Sequence, residues 1–524
     1  MKTDGRVIGG ARPWLIAGGI FLVALLARLH GIGAMPFWLD EITTVHRVAL
    51  PLPALVSDSL RAHHLPSYFW LTAHLAPGGL AEASLRLPAA LFGAASAALL
   101  GVLGNRMGGV WAGLAAGLLL ALSPLHVQYG QEARSYTLVI LMMTVALAGF
   151  IEIARDPVAA GSARGAAGFR LWPWLLYALG TAAALQVLST AFFWLIAANL
   201  AAVPLVLAPA VARGRFLRRW LLAQGFILLT TLPWFAAMAL LTHGRMGSGT
   251  DWVPPMTWHS FLSTLGSLYG LRVSRLISFH LFPAAVPGLG LLLPLLFLMG
   301  LVYLGRKRAC EGERRTLLLA MLILALAPPL LLLALSFAKP LWMPRYVMWG
   351  SVPFFLIAGL GLGLLPKAGQ RGGAALALGL LAAINLAPYY RAETKPRWDL
   401  AAQDITRLMQ PGDLLLVPDR GPITMMNFFL APRHQAIDPK VWTRDVFAAA
   451  AHLDQGGRVW VISGKVGQAD PTSRRSFAQI TRPLGNPAAS RAEGDLITLS
   501  LYNHPPGADL LAQANNQSAG TTGF

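Results

Sequence analysis

The sequence predicts a polytopic α-helical membrane protein of about 11 transmembrane helices, with interfacial helices in the first outer loop and a small C-terminal α/β domain on the outer face. Three observations lead there. Of the 524 residues, 55% are hydrophobic and 12% charged, where a soluble chain carries about 25% charged residues. The apolar residues gather in runs of roughly 20, the helical length that crosses a hydrocarbon core of about 30 Å. The basic excess, 42 Lys+Arg against 23 Asp+Glu, sits in short loops between those runs.

In chain order the apolar runs fall near 13–29, 84–104, 109–126, 135–154, 171–188, 191–211, 220–241, 283–304, 316–337, 346–365 and 373–389. The first has a basic flank (Lys2, Arg6, Arg12) but is too long for a signal-peptide core, and no A-x-A site follows, so it reads as an uncleaved helix. With the N-terminus cytoplasmic, one set of loops holds Arg106, then Arg155, Arg164 and Arg170, then Arg213, Arg215, Arg218 and Arg219, then Arg306, Lys307, Arg308, Arg314 and Arg315, then Lys367 and Arg371. The opposite loops hold Asp40, Glu41, Asp58, Glu82, Glu132 and Asp251. This is the positive-inside pattern, and it places the region after the last span outside the cytoplasm, in the periplasm if the membrane is a bacterial inner membrane. The net charge of +19 is an orientation signal by this reading, and nucleic acid is not an expected partner. Cys310 is the single cysteine, which rules out an intramolecular disulfide and a Cys-based metal site.

Two outer loops are long. Residues 30–83 include "PLPALVSDSLRAHHLPSYFWLTAHL", apolar and polar residues mixed over stretches too short to span, as in helices lying in the interface. Residues 242–282 hold a Pro break and a further amphipathic run. Beyond 391, "RWDLAAQDITRLM" reads as a surface helix, "PGD" as a turn, and "LLLVP", "RVWVISG" and "LITLSLYN" as strands. The expected division is a membrane domain over 1–390, an α/β domain over 391–504 and a polar, disordered tail over 505–524.

Four constellations carry chemistry, and each has a plain structural alternative. Asp40 and Glu41 are adjacent carboxylates just past the first span; they suit a solvated loop or a site. In "HVQYGQEARSY", Glu132 and Arg134 can pair or face headgroups, or Arg134 can present its donor fork to a phosphate. In "FAKPLWMPRYVMWG", Lys339 and Arg345 flank Trp342; such residues anchor interfaces, yet these cations lie on the outer side against the charge bias, which an anionic ligand would explain. His63 and His64 of "HHLPSYFW" can be interfacial residues or, with Asp40 or Glu41, metal ligands.

Their order is more telling than any one of them. "WLDEITT", "HHLPSYFWL", "SLRLPAALFG", "SPLHVQYGQEARSY" and "KPLWMPRY" follow one another over roughly residues 12–390 in a way that resembles the GT-C superfamily of membrane glycosyltransferases, in particular the glycosyltransferase family 39 and protein O-mannosyltransferase-like branch, to which the lipid A aminoarabinose transferases are related. The resemblance implies an inverting, polyprenyl-phosphate-sugar-dependent glycosyltransferase of the cell envelope, working at the outer face of the cytoplasmic membrane on a lipid, glycan or protein acceptor. It implies Asp40 as catalytic acid-base residue with Glu41 as companion, and Arg134, Lys339 and Arg345, with Arg272 and Arg275, as donor-phosphate ligands. His64, Tyr68, Glu132, Tyr136 and Tyr346 would line the cavity. Leu65 and Ser67 depart from the family's H-P-P-L-Y-Y segment, which leaves the role of that stretch open. A divalent metal, held by Asp40, Glu41 and His64 if by any, also stays open. The alternative class is a multi-pass lipid or solute transporter or flippase without transferase activity; it expects ionisable residues at mid-membrane depth and a repeat relating two halves, neither of which the sequence displays.

Overall fold

The computed structural model describes residues 13–76, 78–159, 170–208, 213–244, 253–273, 281–306, 311–417, 420–430, 442–464, 479, 481–494 and 496–503. Arg164, Asp251, Arg275, the basic stretch 307–310 with Cys310, and the tail from Pro505 lie outside them.

Among the described residues each of the eleven apolar runs overlaps a helix. Among the described residues, seven helices are long and apolar enough to cross a membrane: Glu82–Gly108, Tyr136–Arg155, Ser189–Leu207, Arg213–Leu241, Leu289–Arg306, Thr316–Ala338 and Ala368–Arg391. An eighth arises if Val110–Leu122 and Pro124–Gly130, bent by 58°, count as one broken span. Others of the eleven runs form shorter helices: Pro13–Leu29 and Trp172–Leu185, of 17 and 14 residues, reach about 21–26 Å at 1.5 Å per residue. The loop expected to be the first outer one forms three short helices, Leu39–Val48, Leu52–Arg61 and Ser67–Leu75. At nine or ten residues each, these cover roughly 15 Å and cannot span.

Contacts divide the chain into two compact units. The first holds the helical bundle and takes in residues 44–273. Small residues let its helices approach: a side chain on Gly300 would meet the Ile357 carbonyl, and one on Gly149 the backbone of Pro173 and Tyr177. The broken span has a visible cause. Pro124 opens the second segment, and the buried Arg28 guanidinium sits at the break, donating to the carbonyls of Ala24 (2.9 Å), Ala121 (3.0 Å) and His126 (3.3 Å). Gly93 and Gly130 leave room for it, since a Cβ at either would lie 2.5 or 2.7 Å from Arg28 Nε. An intramembrane ion satisfied by backbone carbonyls is the expected way to tolerate one.

The second unit contains the residues from Arg391 on together with 33–43, so the loop bearing Asp40 and Glu41 folds with the C-terminal part of the chain. The division falls inside helix Leu39–Val48. Strands β1 (Leu414–Leu416), β2 (Trp442–Thr443), β3 (Val459–Gly464), β4 (Ala489–Glu493) and β5 (Ile497–Tyr502) form one sheet in the order β2-β1-β3-β5-β4. β1 is parallel to β2 and β3; β5 is antiparallel to β3 and β4. Helix Trp398–Leu408 and the turn at Gly412 (φ +94°) stand where the sequence puts them. Leu416, Val459, Val461 and Tyr502 pack with Ala449, Ala450 and Leu453 of helix Val446–Asp454 into a core.

Candidate functional site

In the helical unit the structure brings several sequence-predicted residues together. His63 adopts a left-handed backbone (φ +62°), and the His64 N–H donates to Ser59 O (2.8 Å), which stops helix Leu52–Arg61 and turns the chain toward helix Ser67–Leu75. A non-glycine residue in that conformation costs on the order of 1 kcal/mol. The turn delivers the His64 ring to Arg134, whose Nη2 donates to His64 Nε2 at 3.3 Å. Because a guanidinium only donates, that nitrogen is unprotonated and the proton of the neutral ring resides on Nδ1. Electrostatics agree. Burial, then Arg134, Arg47 and Arg345, push the His64 pKa well below its usual 6.5. One guanidinium thus touches the neutral imidazole, and two more act on it through their charge. His64 Nδ1 has no protein partner among the described residues.

Each cation is fixed from its own element. Arg134 is buried in the short turn Gln131–Ser135, where the Arg134 N–H reaches back to Glu132 O (2.7 Å) and Ala133 O accepts from Thr44 Oγ1 (2.8 Å). Gln131 pins that turn, donating to the carbonyls of Arg28 (2.9 Å) and His30 (2.6 Å) and accepting from Tyr389 OH (2.7 Å). Tyr136 packs edge-on against Tyr129 at 4.7 Å. Arg345 is buried in the turn Pro344–Tyr346, its guanidinium 5.5 Å from the Tyr346 ring. Arg47 lies 4.7 Å over the Phe69 ring and donates to Asp58 Oδ2 at 2.8 Å. Burial lowers its pKa, and the Asp58 bond opposes that. Tyr68 and Glu132 are buried in the same unit.

Next to His64 in the chain, Pro66 and Ser67 enter the lining of an apolar cavity of about 580 Å³. Trp70, Leu138, Met142 and Trp234 complete much of the wall. Leu138 lies in the first turn of helix Tyr136–Ala159, four positions after Arg134. The volume is in the usual range for a small-molecule site, and the lining is suited to hydrocarbon.

In the second unit, Asp40 is half-buried in the first turn of helix Leu39–Val48. Glu41 beside it is fully buried, and its Oε2 lies 3.0 Å from Nζ of the buried Lys395. Other expected ligands are placed differently. Lys339 is half-buried at the end of helix Glu311–Ala338, and Arg272 donates through Nη2 to Phe282 O (2.8 Å), holding its own loop. Arg275 is outside the described residues. The donor set Asp40, Glu41 and His64 fits a divalent cation poorly. Lys395 occupies the Glu41 carboxylate, and the guanidiniums around His64 would repel a metal ion. Among the described residues no group of three or more His, Cys, Asp or Glu side chains is disposed to hold one.

Three residues escape the sequence reading. Arg47 carried a signal, being basic in an outer loop against the charge bias, and Arg28 another, being charged at the end of an apolar run. Lys395 carried none: its partner is 354 positions away.

Neither a protein-family model nor a curated protein matches the sequence. Solved structures do match in fold. ArnT from Cupriavidus metallidurans, bound to undecaprenyl phosphate, superposes with a TM-score of 0.55 at 13% identity, over 94% of this chain and 98% of that one. The chain has the fold of this structure. Apo ArnT gives 0.52 at 13% identity, over 93% and 97%. The Archaeoglobus fulgidus oligosaccharyltransferase in its apo form gives 0.51 at 11% identity, over 86% of this chain and 69% of that one. That fold and the long apolar helices support a multi-pass membrane protein.

Proposed function

We propose that this chain is a polyprenyl-phosphate-dependent glycosyltransferase that moves a sugar, with inversion, onto an acceptor at the outer face of the cytoplasmic membrane. One observation carries the reading: Arg134 bonds a neutral His64 on which Arg47 and Arg345 also act, and Pro66 and Ser67, two and three residues further on, line an apolar cavity of about 580 Å³. An anionic headgroup with a hydrocarbon tail has the complementary chemistry. The GT-C fold, shared with an ArnT bound to undecaprenyl phosphate, supports the same donor class. Loop charge supports a cytoplasmic N-terminus and an extracytoplasmic C-terminal unit.

The chemistry divides between charge and proton. As an acceptor hydroxyl attacks the anomeric carbon, the bond from that carbon to the phosphate oxygen breaks and the lipid phosphate leaves with the electron pair. Arg134 and Arg345 stabilise that growing negative charge as preorganised donors, and the neutral His64 adds an Nδ1–H. No acid is needed for a phosphate leaving group. The proton lost by the acceptor goes to Asp40, a general-base role worth about 10²–10⁴-fold.

The test supplies purified protein in nanodiscs with polyprenyl-phosphate sugars and a membrane extract as acceptor. Donor consumption by wild type, reduced about 10²-fold or more in Asp40→Asn, supports the reading. Binding of donor with no consumption by either protein would instead favour a lipid transporter. Equal turnover by both would keep the enzyme and remove Asp40 from its site.

A further inference from the structure

We infer that Lys395 is a positioning residue of the proposed transfer, acting through Glu41, and that Glu41 is a structural anchor and not a second acid-base group. The inference rests on the glycosyltransferase reading for its catalytic part and on the second unit alone for its geometry.

Glu41 shows no accessible surface and Lys395 only 3%, with the carboxylate and ammonium 3.0 Å apart. The same oxygen, Glu41 Oε2, accepts the Trp38 N–H at 3.4 Å, while the Glu41 N–H donates to Trp38 O at 2.9 Å. Glu41 therefore ties off the first turn of helix Leu39–Val48 from both directions, as the acidic member of a capping box does. Asp40 is the residue inside that turn, so the backbone that aims Asp40 is set by Glu41, and Glu41 is held by Lys395. Lys395 is itself restrained: Pro396 follows it and keeps its backbone extended, and Pro396 O accepts the Trp398 N–H at 3.0 Å as helix Trp398–Leu408 begins.

Burial decides the roles. A carboxylate and an ammonium removed from water persist as ions only as a pair, and removing either strands the other. With no accessible surface, the Glu41 carboxylate is out of reach of an acceptor hydroxyl, whereas the half-buried Asp40 is reachable. The segment that follows the last long helix thus fixes the loop bearing Asp40, a task for the second unit apart from any acceptor it contacts.

A double-substitution cycle tests this, using full-length protein with Glu41→Gln, Lys395→Met, the pair together, and Lys395→Arg. Thermal midpoint is read for all, and kcat and donor KM for those that turn over. Each neutralising single variant should lose about 10²-fold in kcat, the usual cost of misplacing a catalytic group by about 1 Å, with donor KM nearly unchanged. Each should also melt below wild type. The double variant strands no ion, and the amide that replaces the Glu41 carboxylate still offers an oxygen to the Trp38 N–H, so both midpoint and kcat should recover to within about tenfold in rate. Lys395→Arg, which keeps the cation, should stay near wild type. A double variant that regains its midpoint but stays as slow as Glu41→Gln would overturn the inference, because one of the two groups then acts in the chemistry itself. A large rise in donor KM confined to the Lys395 variants would overturn it too, assigning Lys395 to the donor. If wild type turns nothing over, the glycosyltransferase reading fails separately. The midpoints still decide the pair: non-additive effects keep it and additive ones remove it.

Discussion

Replacing Arg28 by methionine is the sharpest test of how the membrane unit is built. Methionine keeps the length and the apolar stem and removes every donor. No ion is stranded, so the cost is that of the carbonyls left behind. The guanidinium donates across the break to Ala121 O (3.0 Å) and His126 O (3.3 Å), besides Ala24 O in its own helix. A buried acceptor that loses its partner costs about 1–3 kcal/mol, while hydrogen bonds between helices in a membrane average about 0.6 kcal/mol in measured cases. Two such bonds bracket the loss at about 1–6 kcal/mol, and about 3 kcal/mol is a middling value. Extending the size scaling of melting to a unit this large gives roughly 1–2 °C per kcal/mol, hence a fall of about 3–6 °C. The assay is thermal unfolding in one detergent, with Arg28→Lys alongside; a single ammonium cannot reach all three carbonyls, and its midpoint should fall between the others. An unchanged midpoint in Arg28→Met would refute the claim that this guanidinium holds the broken span.

Further outcomes follow from the same structure. The folded chain keeps His64 neutral below pH 6.5 while the unfolded chain takes up a proton there, so stability should fall as pH drops through 6.5. His64→Asn should flatten that part of a stability–pH profile measured by chemical denaturation. Arg134→Met and Arg345→Met each remove a charge-assisted donor worth about 1.5–3 kcal/mol, and should weaken polyprenyl-phosphate binding roughly 10–150-fold in an equilibrium binding assay. Ala183→Phe fills the apolar cavity; affinity should drop for a long prenyl phosphate and hold for a short-chain analogue, measured by competition.

The sequence showed the periodic features and concealed the distant ones. Apolar runs gave the helices because about 20 residues must be apolar to lie in hydrocarbon, whatever they touch. They do not reveal where a helix stops, as 171–188 shows by ending at Leu185. β3 and β5 were visible as alternating Val, Ile, Leu and Tyr. β4, Ala489–Glu493, has the sequence "ASRAE" and is a polar edge strand with no β-branched residue, and β2 has two residues, so neither carried a pattern. Asp40, Arg134 and Arg345 stood out as charges beside apolar runs. That Arg134 faces His64 depends on the turn at His63, and that Glu41 is an anchor depends on Lys395. Such pairings are properties of the packed chain, with no local spacing to announce them.

The central claim is that the guanidinium cluster and the apolar cavity hold a lipid phosphate. Direct binding of a labelled polyprenyl phosphate to the purified protein tests it, with the uncharged polyprenol and the Arg134→Met/Arg345→Met variant as comparisons. The account predicts saturable binding of the phosphate, at least about 10-fold weaker binding of the polyprenol, and loss of that preference in the double variant. Equal affinity for phosphate and alcohol in wild type, or an undiminished preference without both arginines, would contradict it.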